Sequence, residues 1–236
     1  TLSVAVGPGD SVQLAYLQNI AKVLRESRQP FRFKIVQSSG VVHSSELLDG
    51  GRVDLAVVRS DNAEAKDARS IVILHKRAVA FVSRKDANLS SMRDIEEKPI
   101  GVLDVDKDSY KPLVERIMSH YDIDEDDLKL LPMGRDDVIK AMVDRRIEGF
   151  VIVGNLASRP VRELMSELTG EHRLELVVKG VPAYAALALR FRELHESKIP
   201  EGVFGLQPEE EENTVGITLE LAATSRMSEQ TATALT

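Results

Sequence analysis

Short β-rich apolar runs alternate with segments of helical periodicity along most of this chain, and few folds satisfy such an order. Leu2 to Gly7 is a short apolar run stopped by the turn Gly7-Pro8-Gly9-Asp10. Leu14, Leu17, Ala21 and Leu24 then recur at helical spacing. Phe31 to Val36 is β-rich, Ser44 to Leu48 reads as a short helix closed by Gly50-Gly51, and Val53 to Val58 has the character of a buried strand. Strand, helix, strand, helix, strand implies a parallel sheet with crossover helices.

Two apolar runs, Ile71 to Leu74 and Val79 to Val82, precede a restart of the same rhythm. Strands are expected at Ile100–Leu103, Leu128–Leu131, Phe150–Val153 and Leu174–Val178. Helices are expected at Ser109–Tyr121, with Pro112 in the first turn, at Arg135–Arg146, and through Val161, Leu164, Met165 and Leu168. Tyr184, Leu187, Ala188, Phe191 and Leu194 mark another helix, Val215 to Leu221 a last strand, and Ser228 the start of a final helix. The order is that of two α/β units in tandem, either side by side or with the chain crossing between lobes and returning. The late strand at Val215 favours a return. The expected division is 1–78 with 184–236 as lobe 1 and 79–183 as lobe 2, with hinges near 76–83 and 178–184.

The net charge of −7, from 31 basic and 38 acidic residues, argues against a nucleic-acid partner, which needs a basic face. The absence of cysteine excludes a disulfide scaffold, a Cys-ligated zinc site and a thiol nucleophile. No apolar run approaches the roughly 18 residues a spanning helix requires. Thr1 is not an initiator, so an upstream segment is expected to have been removed.

Ligands of open parallel sheets bind at the carboxyl ends of the strands. Those ends here carry Gly9, Asp10 and Ser11; Ser38, Ser39 and Gly40; Ser60 and Asp61; and Gly154 and Asn155. Helix N-termini beside such loops suit an anionic group, although the same residues also simply cap helices and make turns. No G-x-S-x-G elbow, phosphate-binding loop or H-E-x-x-H pair occurs, and the five histidines are scattered, so no catalytic residue is assigned and the chain is not expected to be an enzyme. His43 is expected at the surface where its helix begins.

Asp104, Asp106, Asp108 and Glu115 fall at positions 1, 3, 5 and 12 of a calcium-loop pattern. Against calcium, Ser109 holds the glycine position, Lys111 replaces an apolar residue, and the loop follows a strand. The alternative is an acidic strand–helix turn that caps the next helix. No other cofactor is expected.

The run Gln37-Ser38-Ser39-Gly40, then Glu46-Leu47-Leu48, then Gly51-Arg52-Val53-Asp54-Leu55-Ala56-Val57-Val58-Arg59-Ser60-Asp61, resembles the TAXI solute receptors of TRAP-type transporters. Ile199-Pro200-Glu201-Gly202-Val203-Phe204 resembles that family's I-P-x-G-x-Y element; Ile20 to Lys22 and Val153-Gly154-Asn155 fit as well. The resemblance implies a two-lobed periplasmic-binding-protein-like α/β fold of type 2, with mostly parallel sheets flanked by helices and a ligand cleft between the lobes. It further implies a periplasmic or extracytoplasmic receptor, anchored or not by sequence outside this segment. Such a receptor captures a small organic acid or amino acid by lobe closure and hands it to membrane permease subunits, as a monomer. A ligand-sensing regulatory domain on the same fold is the alternative. Asp10-Ser11-Val12-Gln13-Leu14 stands where the family has G-G-x-Y-Y, and an acidic stretch, 104–110, replaces its small Gly/Ser/Thr-rich loop. The expected ligand contacts are therefore the strand-end residues above together with Gln13, Lys107, Ser109 and Tyr110. Asp54 is expected to be structural.

Overall fold

The computed structural model describes residues 1–7, 12–26, 31–62, 68–104, 109–233 and 235. In chain order the strands and α-helices are β1 (Leu2–Val6), α1 (Val12–Glu26), β2 (Phe33–Gln37), α2 (Val41–Asp49), β3 (Leu55–Arg59), β4 (Arg69–Arg84), β5 (Pro99–Leu103), α3 (Lys111–Met118), β6 (Lys129–Met133), α4 (Arg135–Val143), β7 (Gly149–Gly154), α5 (Arg159–Ser166), β8 (Leu176–Lys179), α6 (Tyr184–Arg190), β9 (His195–Ile199), β10 (Glu212–Ala223) and α7 (Glu229–Thr233). They form two compact units, Thr1–His75 with Thr218–Thr236, and Lys76–Ile217.

In the first unit β2, β1 and β3 are parallel, with Leu2 opposite Phe33 and Val4 opposite Leu55. The second half of β10 closes the far side of β3 antiparallel, Leu219 opposite Arg59 and Ala223 opposite Leu55. Because β3 is covered on both faces, all five of its residues are apolar or paired and all are buried. Leu55 and Val57 pack with Leu14 and Leu17 of α1, whereas Ala56 and Val58 pack with Leu47 and Leu48 of α2. The turn from α2 into β3 explains the Gly50-Gly51 pair. Arg52 N–H bonds to Leu47 O at 2.9 Å and Gly51 N–H to Leu48 O at 3.0 Å, the two bonds of a Schellman closure. Gly51 takes the left-handed position, φ 64°.

In the second unit β6, β5 and β7 are parallel, Ile100 lying opposite both Leu130 and Gly149. The latter half of β4 runs antiparallel to β7, from Ala78 opposite Gly154 to Ser83 opposite Gly149. β8 is antiparallel to β4, and β9 is antiparallel to the first half of β10. One face of these strands, with Val79, Phe81, Val102 and Val151, packs on Leu113, Val114 and Ile117 of α3. The other, with Ala80, Val82, Phe150 and Ile152, packs on α4 and α5 through Val138, Met142, Val161 and Leu164. Residues 184–217 lie in this unit: Leu187, Val215 and Ile217 belong to the first of these cores. Gly216 allows close approach here, since a Cβ would meet the Arg77 carbonyl at 2.6 Å and the His195 ring at 2.9 Å.

Candidate functional site

Each unit gathers polar groups at the carboxyl ends of its parallel strands. In the first unit the loop after β2 is fixed from within. The buried Ser38 hydroxyl lies 3.1 Å from Val6 O, 2.8 Å from Gly40 O and 2.7 Å from Ser44 Oγ. Ser39 is exposed; its amide donates to His43 Nδ1 at 3.2 Å, and its hydroxyl lies 3.2 Å from the same atom. Gly40 is buried and extended at the start of α2. Gln13 is buried on α1. Gly9, Asp10 and Ser11 lie outside the described residues.

After β3, Ser60 stitches two strands: its amide donates to Thr218 O at 2.9 Å and its hydroxyl accepts from Thr218 N–H at 3.0 Å. Asp61 accepts two bonds from Arg59, at 2.9 Å from Nε and 2.5 Å from Nη2, both side chains being almost completely buried. This fork is the geometry that guanidinium and carboxylate planes favour. Next to it, Asn62 donates to Ser45 Oγ at 3.0 Å. Asp54 has the structural place expected of it at the other end of β3: its carboxylate accepts from Ser3 N–H and Ser3 Oγ, each at 2.7 Å, clamping β3 to β1.

In the second unit Asp104 follows the last residue of β5, Leu103; Asn155 follows the last residue of β7, Gly154; and α3 begins after Ser109-Tyr110. Asn155 turns the chain, its side-chain oxygen accepting from Ala157 N–H at 3.1 Å. Ser109 Oγ accepts from Lys111 N–H at 3.2 Å. Tyr110 is completely buried, and its hydroxyl accepts a bond from Arg77. Arg77, itself 7% exposed, precedes Ala78, which faces Gly154, so its guanidinium stands at the carboxyl end of this strand set. Of the four calcium-pattern carboxylates, Asp106 and Asp108 lie outside the described residues, as does Lys107. Glu115 is engaged by Lys111 at 3.3 Å.

Sequence reasoning passed over Arg59 and Arg77 because each ends or opens an apolar run and reads as part of a strand. The available signal was a charge inside such a run: a fully buried arginine is rare unless paired. Chemically, the second unit's cluster combines a buried cation, a phenol and small turn residues, a combination suited to a carboxylate-bearing solute.

Residues 5–236 match the family described as NMT1-like. Among solved structures, the XAC2383 protein from Xanthomonas citri bound to ATP is similar over 100% of this chain and 81% of its own, at 13% identity and a TM-score of 0.61. The GluR0 ligand-binding core from Nostoc punctiforme in complex with L-glutamate is similar over 100% and 91%, at 11% identity and a TM-score of 0.54. The effector-binding domain of QuiR in complex with shikimate is similar over 99% and 92%, at 13% identity and a TM-score of 0.51. The fold is the mixed α/β fold of the type-2 periplasmic binding proteins. Among the described residues no helix is long and apolar enough to cross a membrane.

Proposed function

The chain belongs to the NMT1-like family, the TAXI-related group towards which its Q-S-S-G and D-L-A segments point, and on that premise we propose that it is a solute receptor for a small acid. The two units serve as lobes that close on an organic acid or amino acid, and the loaded form delivers it to TRAP-type permease subunits outside the cytoplasm. The observation that carries this reading is Arg77, a buried guanidinium bonded to the buried Tyr110 at the strand ends of the second unit. Two fold relatives, one in complex with L-glutamate and one with shikimate, support a carboxylate ligand. Ser39, Gly40, Ser109, Gly154 and Asn155 supply the remaining polar contacts. Ser38, Ser60 and Asp61 hold their loops in shape.

A sensing role on the same fold is the second reading, supported by the likeness to the effector-binding domain of QuiR. Pull-down of permease subunits by the loaded chain separates the two.

The test is a thermal-shift screen with organic acids, amino acids, polyamines and calcium, with EDTA as control. A ligand at a hundred times its Kd adds about 2.7 kcal/mol, or roughly 5–11 °C for a chain of this size. Acidic solutes are expected to give that shift, and Arg77→Met to remove it while leaving the unliganded circular dichroism unchanged. A shift produced by polyamines or calcium alone would overturn the acid assignment.

A further inference from the structure

A cavity of about 160 Å³ lies within the second unit, floored by Phe81 of β4, Ile100 of β5, and Met92 and Ile95 of the 3-10 turn Met92–Ile95. All four floor residues are buried. It is separate from the candidate site. Ile100 and Gly149 mark the amino ends of β5 and β7, whereas Asp104, Gly154 and Arg77 stand at the carboxyl ends. On β4 the nearest cavity residue, Phe81, is four residues from Arg77, about 13 Å at the rise of a strand.

The volume and lining define the apolar part of an occupant. Cavities of about 150 Å³ lined by Leu, Ile and Phe hold a benzene-sized body. The mouth defines the polar part, because it carries one charge of each sign, Lys179 and Glu212. Phe81 lies directly opposite Lys179 across the β4–β8 ladder, so the lysine stem stands on the same face as the phenyl ring. Lys179 is exposed and meets no carboxylate among the described residues. Glu212 is held at the mouth by Gly180 N–H, which donates to Oε2 at 3.5 Å. A carboxylate alone would meet Glu212, and an amine alone would meet Lys179. A molecule bearing both satisfies both.

We propose that this cavity binds the zwitterion of an apolar α-amino acid of leucine or phenylalanine size. The side chain fills the floor, the carboxylate meets Lys179 and the ammonium meets Glu212. L-leucine is the probe, titrated into the full chain and followed by amide NMR shifts, with 4-methylpentanoate and 3-methylbutylamine as the analogues lacking one charge. Saturable shifts are expected around 89–95 and 179–182, with both analogues weaker. Lys179→Gln should weaken leucine roughly three- to tenfold, as the net loss of one ordinary hydrogen bond does, and Leu89→Trp, which blocks the mouth, should abolish it. Arg77→Met should leave it unchanged. Should Leu89→Trp fail to fold, Lys179→Glu at an exposed position carries the same expectation of loss. Absence of saturation, analogues that bind as well as leucine, binding that survives Leu89→Trp or Lys179→Glu, or loss with Arg77→Met would each overturn the proposal. The last outcome would assign leucine to the carboxyl-end site.

Discussion

Arg59 and Asp61 illustrate how a strand end acquires a fixed shape. A buried pair of this kind contributes little when intact, yet removing Asp61 takes two charge-assisted bonds from a buried guanidinium. Asp61→Ala is therefore expected to destabilise the chain by about 1–3 kcal/mol, read as a lower denaturant midpoint at unchanged m-value; a change within about 0.5 kcal/mol, the range of ordinary surface substitutions, would contradict the buried pairing. His195 gives a pH-dependent counterpart. Burial of its ring lowers its pKa, with Lys76 adding repulsion, and neither ring nitrogen has a hydrogen-bond partner among the described residues. The folded state thus resists a proton that the unfolded chain accepts near its ordinary value of about 6.5. Above that pH the histidine has no effect; as pH falls through it, stability declines until the folded ring also titrates. His195→Phe should flatten this decline in urea melts between pH 7 and 5. A wild-type slope unchanged in the variant would refute it. His195 was hard to find from sequence, because what matters for it is the neighbour across the sheet, Gly216, and not the spacing along the chain.

At the level of elements, the 3-10 turn Met92–Ile95 is held by one carboxylate. Asp94 Oδ2 accepts from Ser91 N–H at 2.7 Å, Ser90 N–H at 2.7 Å and Ser90 Oγ at 2.8 Å, and the Ser91 backbone bond is the largest cause that lowers its pKa to about 2. A depressed carboxylate stabilises the fold above its unfolded pKa near 3.8 and loses that effect as pH falls towards 2. Asp94→Asn should remove the acid-side dependence in that window, seen as a shallower fall of Tm between pH 4 and 2; an unaltered profile would rule out this anchoring role. Most elements were legible, since parallel strands covered on both faces must be apolar runs. Two were not. Ile71–Leu74 and Val79–Val82 read as separate runs because His75, Lys76 and Arg77 interrupt them, yet β4 is continuous: Ile71 and Leu74 feed one core, Val79 and Phe81 the other. The helix expected through Leu194 stops at Arg190, and His195–Ile199 forms β9, whose alternating polar residues carry no strand-like apolar signal. The strand-end loops were equally readable as Ser/Gly/Asp punctuation, but the arginines behind them were concealed inside strands.

For the molecule as a whole, the division between units has a consequence in chain order. Among the described residues, both cores of the second unit draw on positions between Ala78 and Ile217, all within the continuous segment Lys76–Ile217. A segment of about 140 residues buries roughly two-thirds of its unfolded surface, enough for independent stability. The first unit is different, because Leu219, Leu221 and Ala223 of β10 complete the core formed by Val4, Val6, Leu55 and Val57. Its chain must leave and return before that core can close. Expressed alone, 76–217 should therefore show a single cooperative thermal transition and dispersed amide resonances, whereas 1–75 alone should show neither. Adding 218–236 to 1–75 through a short flexible linker should restore folding, since closing a loop costs only slowly more with length. A 76–217 segment that melts without cooperativity would mean that its two cores depend on the rest of the chain. A folded 1–75 would mean that the late strand is dispensable, and the return of the chain would then have to be explained by solute binding and not by stability.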